Sequence, residues 1–177
     1  MPTPMPHSPS SPKSTRLYTE EERARRDATI WTLIQGLLAP AQFFVFAVSC
    51  VLVVRYLATG EGYALATWSI LVKTGFLYVI MITGAIWEKV VFGQYLFAPA
   101  FFWEDVVSFL VIGLHTAYLG ALFTNALDPA SLMHLALAAY ATYVINAAQF
   151  LWKLRRARRD IERQATQTPP AQQQVAA

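Results

Sequence analysis

Charge is what this chain has least of. Asp, Glu, Lys and Arg make up 14% of its 177 residues, against about 25% in an ordinary soluble domain. The scarcity is concentrated. Residues 1–27 hold nine charges, residues 153–177 hold eight, and the 125 residues between them hold eight. Segments 28–54, 106–127 and 129–152 carry none, and 62–87 carries only Lys73. The chain is also 55% apolar. A soluble domain of ~150 residues buries only about 70% of its unfolded surface, too little to hide such a middle from water, so a soluble globule is excluded. A single cysteine, Cys50, excludes an internal disulfide framework and a Cys-rich metal centre. GxGxxG, Walker and GxSxG loops are also missing. No internal repeat is visible, which argues against a transporter made of duplicated halves.

The charge-poor runs have the length a bilayer requires, about 20 residues each. They predict an all-α, integral-membrane four-helix bundle with spans at about 30–57, 63–87, 99–124 and 131–152, inside a membrane domain of 29–154. Helices satisfy their own backbone, as hydrocarbon demands. Ala58–Gly62 reads as a tight turn, and Asp128-Pro129 as an N-cap followed by the first helical residue. The Glu88–Ala98 connection is longer and aromatic, which places it in the interface. Residues 1–18 form a Pro/Ser-rich leader expected to be disordered, without the apolar core of a signal peptide. Thr19–Glu22 is a capping box opening a short charged helix over 19–28. Residues 155–177 are expected to be a basic, then disordered, tail.

Lys13, Arg16, Arg23, Arg25 and Arg26 precede the spans, and Lys153, Arg155, Arg156, Arg158, Arg159 and Arg163 follow them. The positive-inside rule then puts both termini in the cytoplasm. The basic tails are read as topology signals that touch anionic lipid, with no nucleic-acid partner.

Ionisable groups at membrane depth are functional candidates. At ~1.5 Å per residue, Lys73 and His115 lie about 15 and 14 Å from the outer end of their spans, in one layer, with Gln42 near it. A second polar layer forms near the cytoplasmic face, from Gln35, Trp87, Glu88, Lys89, Trp103, Glu104, Asp105, Tyr143, Asn146 and Gln149. Glu104 and His115, eleven residues apart, share a helix face. Each has a structural alternative. Glu88 and Lys89 could be snorkelling interface anchors. Glu104 and Asp105 could only complement a helix N-terminus. Asn146 and Gln149 could be interhelical glue, and His115 a hydrogen-bonded bundle residue. A midplane Lys73 needs a carboxylate, a cage of carbonyls or a ligand anion. A bis-histidine haem does not fit, because His134 would lie about 9 Å shallower than His115.

The words themselves are distinctive: LYTEEERARRDATIWTLIQGLLAPAQFFVF, TGEGY, VKT, TGAIWEKVVFGQYLFAPAFFWEDVVS, LHTAYL and AAYATYVINAAQFLWKLRRAR. From about Leu17 to Arg158 the chain resembles the vinyl bacteriochlorophyllide hydratase family. That resemblance implies a lyase of a bacterial inner (cytoplasmic or intracytoplasmic) membrane. It would add water to the C3-vinyl group of chlorophyllide a, or its bacteriochlorophyllide counterpart, to give a 1-hydroxyethyl group in bacteriochlorophyll biosynthesis. No cofactor is implied. The partners would be a chlorophyllide-type tetrapyrrole and membrane lipid, with self-association or contact with other pigment-making enzymes open.

Acid-catalysed hydration protonates the terminal vinyl carbon, develops positive charge beside the ring, and adds water there. It needs a protonated acid, a charge-stabilising group and a held water. Glu104 is the expected acid, with Glu88 or Asp105 as the charge-stabilising base. His115 is expected to relay a proton or ligate the substrate magnesium, and Lys73 to pair with the propionate. Trp87 and Trp103 are expected to contact the pigment, and Asn146 and Gln149 to hold the water. Two other classes remain open from the residues alone: a non-enzymatic pigment-binding or assembly protein, and a small solute or proton carrier.

Overall fold

The computed structural model describes residues 17–167. The expected disordered leader, apart from its last two residues, and the chain beyond Gln167 lie outside that range. Five helices make up the described chain: α1 (Glu20–Ala28), α2 (Ile30–Thr59), α3 (Tyr63–Phe92), α4 (Phe102–Phe123) and α5 (Pro129–Gln167). Four are long and apolar enough to cross a membrane, at 30, 30, 22 and 31 residues, the last counted over Pro129–Arg159. At ~1.5 Å per residue, 30 residues span about 45 Å, so α2 and α3 reach past a ~30 Å hydrocarbon layer. The chain is an all-α, multi-pass membrane protein.

Local chemistry sets the ends of the elements. α1 opens on the expected capping box: Glu22 N donates to Thr19 Oγ1 at 3.2 Å and Thr19 N to Glu22 Oε2 at 2.7 Å. α5 begins at Pro129, with Asp128 Oδ1 accepting from Ala130 N and Ser131 N at 3.0 and 3.1 Å. Hydrogen bonds, the Ser131 hydroxyl foremost, hold the Asp128 carboxyl below its ordinary pKa. Gly60, with φ 75°, ends α2 in the left-handed region that glycine enters without strain.

Three boundaries differ from expectation. α3 continues past Trp87 to Phe92, so Glu88 and Lys89 are helical rather than part of an interfacial connection. It stops at Gly93 (φ 83°), whose N–H donates to Lys89 O, and the Lys89 ammonium donates to Gly93 O at 2.7 Å. α4 starts at Phe102 rather than Pro99. Phe101 N donates to Ala98 O at 2.7 Å, closing a turn whose second residue is Pro99, the residue that fits that corner. α5 does not stop at Trp152 but runs on to Gln167. Residues 153–167 lack Gly and Pro and are rich in Arg, with Ala and Gln beside it, all good helix formers.

α2 packs on α3 and α4 on α5. The two hairpins meet through α2–α5 and α3–α4 contacts, and α1 lies against α3. Small residues on the inner faces (Ala66, Ala136 and Ala139, all buried) let the helices approach closely, as membrane packing favours. Leu33, Phe44, Val51, Trp68, Ile82 and Ile145 face outward, where hydrocarbon rather than water would meet them. The core has three parts: Val53, Ile70, Tyr118, Met133 and Tyr140 toward the short turns; Leu77, Val111 and Tyr143 in the middle; Tyr18, Val91 and Phe101 at the end bearing both termini.

Candidate functional site

Polar side chains cross the bundle in three layers. Nearest the short turns, Ser49 Oγ lies 2.7 Å from Ser69 Oγ and 2.5 Å from the Tyr140 hydroxyl. In the middle, Lys73 Nζ lies 2.6 Å from His115 Nε2. The third layer is at the terminal end and is the richest.

The middle layer corrects two expectations. Lys73 and His115, placed in one layer by counting residues, do meet, but they turn toward each other. His115 Nδ1 lies 2.7 Å from Val111 O, the geometry of an N–H donor, which leaves Nε2 to accept from Lys73. The imidazole then has no free lone pair for magnesium. Lys73, 0% exposed, sits 4.3 and 5.4 Å from the Tyr143 and Tyr140 ring centroids, which supplies cation–π contact in place of a carboxylate. The pair is enclosed. Lys73→Met should lower stability by on the order of 1–3 kcal/mol, because it strands a buried acceptor, while KM for pigment stays unchanged. Thermal unfolding in detergent beside steady-state kinetics tests this. A raised KM at unaltered stability would return Lys73 to the substrate.

In the terminal layer the last turns of α3 and the first turn of α4 bring Glu88, Glu104 and Asp105 together, 5%, 7% and 4% exposed. Glu88 is therefore not a snorkelling anchor, whereas Lys89 is exposed. The Glu88 and Asp105 carboxyls are gathered by two successive amides of the loop between the helices. Phe97 N donates to Asp105 Oδ2 at 2.7 Å, and Ala98 N to Glu88 Oε2 at 3.2 Å. Glu104 has a different partner. Its Oε2 lies 2.5 Å from Lys153 Nζ, which also donates to Ala100 O and lies 4.9 Å from the Phe101 ring centroid. Glu104 is thus paired with a cation, whereas Glu88 and Asp105 are held by loop amides.

Asn146 and Gln149 reach the same end from α5. Asn146 Nδ2 donates to Ser108 Oγ at 2.8 Å, an interhelical bond, while Asn146 Oδ1 and Gln149 Oε1 are buried with no protein partner. The two tryptophans separate. Trp87 points inward, its Nε1 donating to Thr32 Oγ1 at 2.9 Å and its ring packed on Phe92 and Phe101. Trp103 is 69% exposed on the outer face of α4. Gln35 Nε2 bonds Thr83 Oγ1 at 2.7 Å, and Arg25 Nε donates to Val91 O at 2.9 Å, tying α1 to the last turn of α3. Tyr18 covers this end, stacked on Phe92 at 5.7 Å. Its burial raises the phenol pKa, opposed by the Arg26 guanidinium.

Lys153 was assigned to the basic tail by sequence reasoning and is a member of the cluster. Its spacing carried the signal, since 146, 149 and 153 fall on one helix face. The loop amides of Phe97 and Ala98 had no signal in side-chain identity.

Such an arrangement defines a multi-pass membrane protein with two buried, amide-held carboxyls and an adjoining ion pair at the helix ends nearest both termini. The chain belongs to the 2-vinyl bacteriochlorophyllide hydratase family, whose model matches residues 18–156. A 2-vinyl bacteriochlorophyllide hydratase of Rhodobacter capsulatus is 73% identical over 154 residues, covering 87% of this chain and 90% of that protein. Its namesake from Cereibacter sphaeroides is 74% identical over 158 residues, covering 89% and 97%. No solved structure matches the chain.

Proposed function

We propose that this protein adds water to the 3-vinyl group of a chlorophyllide-type tetrapyrrole, giving the 1-hydroxyethyl group, at the terminal end of its four-helix bundle. The carrying observation is the pair of carboxyls, Glu88 and Asp105, buried at the junction of α3 and α4 and held by successive loop amides. The proton shared by these carboxyls goes to the terminal vinyl carbon, making it a methyl group. The carbon beside the ring becomes cationic, and the macrocycle spreads that charge. The Glu104 carboxylate, held by Lys153, faces the developing charge and stabilises it. Water, held by Asn146 Oδ1 and Gln149 Oε1, attacks the cationic carbon, and its surplus proton returns to the acid pair. One water is consumed and the pair is restored.

The excess of Arg and Lys at the terminal end supports a cytoplasmic location for both termini. Water and the substrate carboxylate would then approach this site from the cytoplasm of a bacterial inner membrane, while the macrocycle stays in lipid. The test is to incubate membranes containing the chain with 3-vinyl chlorophyllide in heavy-oxygen water, with no other addition. A hydroxyethyl pigment bearing one labelled oxygen is expected. Recovery of unaltered pigment would overturn the reading.

A further inference from the structure

Among the described residues other than glycine, two have a left-handed backbone: Asn125, φ 52°, and Phe97, φ 60°. Asn enters that region readily and here lies in the turn after α4. A bulky Phe does not, and such an outlier points to a function held in place by its surroundings. Those surroundings are specific. The Phe97 ring stacks on Phe109, with centroids 5.4 Å apart and planes at 8°, and packs on Phe102 at 5.6 Å. In an extended chain successive N–H groups point to opposite sides, and a left-handed residue turns them toward one. Here the amides of Phe97 and Ala98 both meet carboxyls, one bonding Asp105 Oδ2 and the other Glu88 Oε2.

We propose that Phe97 is a positioning residue for the acid pair, acting through its backbone conformation rather than by ring contact with substrate. Resting on the function proposed above, the inference adds what fixes the pair's geometry. Each amide occupies one oxygen of one carboxyl. Each carboxyl keeps its other oxygen, Asp105 Oδ1 or Glu88 Oε1, for the proton transfer proposed above. The Phe109 stack keeps Phe97 in the conformation that achieves this.

Steady-state kinetics on full-length Phe97→Gly and Phe97→Val, matched for folded protein by size exclusion, test the idea. Gly adopts the left-handed conformation without strain, and β-branched Val resists it. Phe97→Val should lose about tenfold in kcat with little change in KM, and Phe97→Gly should keep most of kcat although it removes more side chain. If Phe97→Val does not fold, Phe97→Asn against Phe97→Leu makes the same comparison, with Asn expected to retain more kcat. Gly no better than Val, Asn no better than Leu, or a loss confined to KM would overturn the inference. Full turnover by Glu88→Gln and Asp105→Asn would instead overturn the acid-pair reading, so the two failures are distinguishable.

Discussion

Glu88→Gln is expected to slow vinyl hydration by ~10²–10⁴-fold, the usual contribution of a general acid–base group, and to leave the protein folded. The amide is nearly isosteric. Its oxygen can still accept the Ala98 N–H now bound by Glu88 Oε2, and its NH₂ can donate to Asp105. What is lost is the transferable proton. Asp105→Asn should have a similar effect, for in the proposed mechanism the two carboxyls, held by successive loop amides, act as one unit. The double variant should therefore be little worse than either single one, since losses within a catalytic unit do not add. Glu104→Gln should behave differently. It removes a charge rather than the proton donor, and leaves Lys153 without its counterion. Single-turnover measurements in proteoliposomes, matched for folded protein, rank the three. Glu104→Gln abolishing turnover while Glu88→Gln remains active would restore Glu104 as the acid.

Much of the fold was legible because hydrocarbon imposes a coarse requirement. Four charge-poor runs of the right length can do little except form four helices, and the caps at Thr19 and Asp128 are local chemistry that needs no tertiary knowledge. The depth of polar residues was legible for the same reason: a fixed rise per residue put Lys73 and His115 at one level. Which way those side chains turn was not, because depth along an axis says nothing of rotation about it. Lys73 therefore looked like a group awaiting an anion, although it meets His115 and two tyrosine rings. The partners of the carboxyls were hidden on the same ground. Three acids were placed correctly in one layer, but their roles depend on which of them Lys153 reaches. Lys153 appeared to belong to the basic tail because α5 was expected to end at Trp152, when it continues without interruption. The amides of Phe97 and Ala98 lay beyond any reading of residue types, since every residue but proline has one.

Lys153→Met is expected to have the largest effect on stability. Breaking a fully buried ion pair by deleting one partner costs ~3–5 kcal/mol, because the other charge stays buried and uncompensated. The cost here should fall toward the lower end, as the Lys153 side chain is 26% exposed while that of Glu104 is 9% exposed. Lys153 also donates to Ala100 O in the loop that presents Phe97 and Ala98 to the acids, so its loss should loosen that loop and reduce kcat as well. A second variant separates the two effects. Replacing both partners, Lys153→Met with Glu104→Gln, removes the stranded charge and should recover much of the lost stability. If Glu104 stabilises the cationic carbon, activity should not return with it. Thermal midpoints in detergent, read beside single-turnover rates, give both quantities for the same preparations. Recovery of rate together with stability would reduce the Lys153–Glu104 pair to a structural brace, leaving Glu88 and Asp105 to carry the reaction alone.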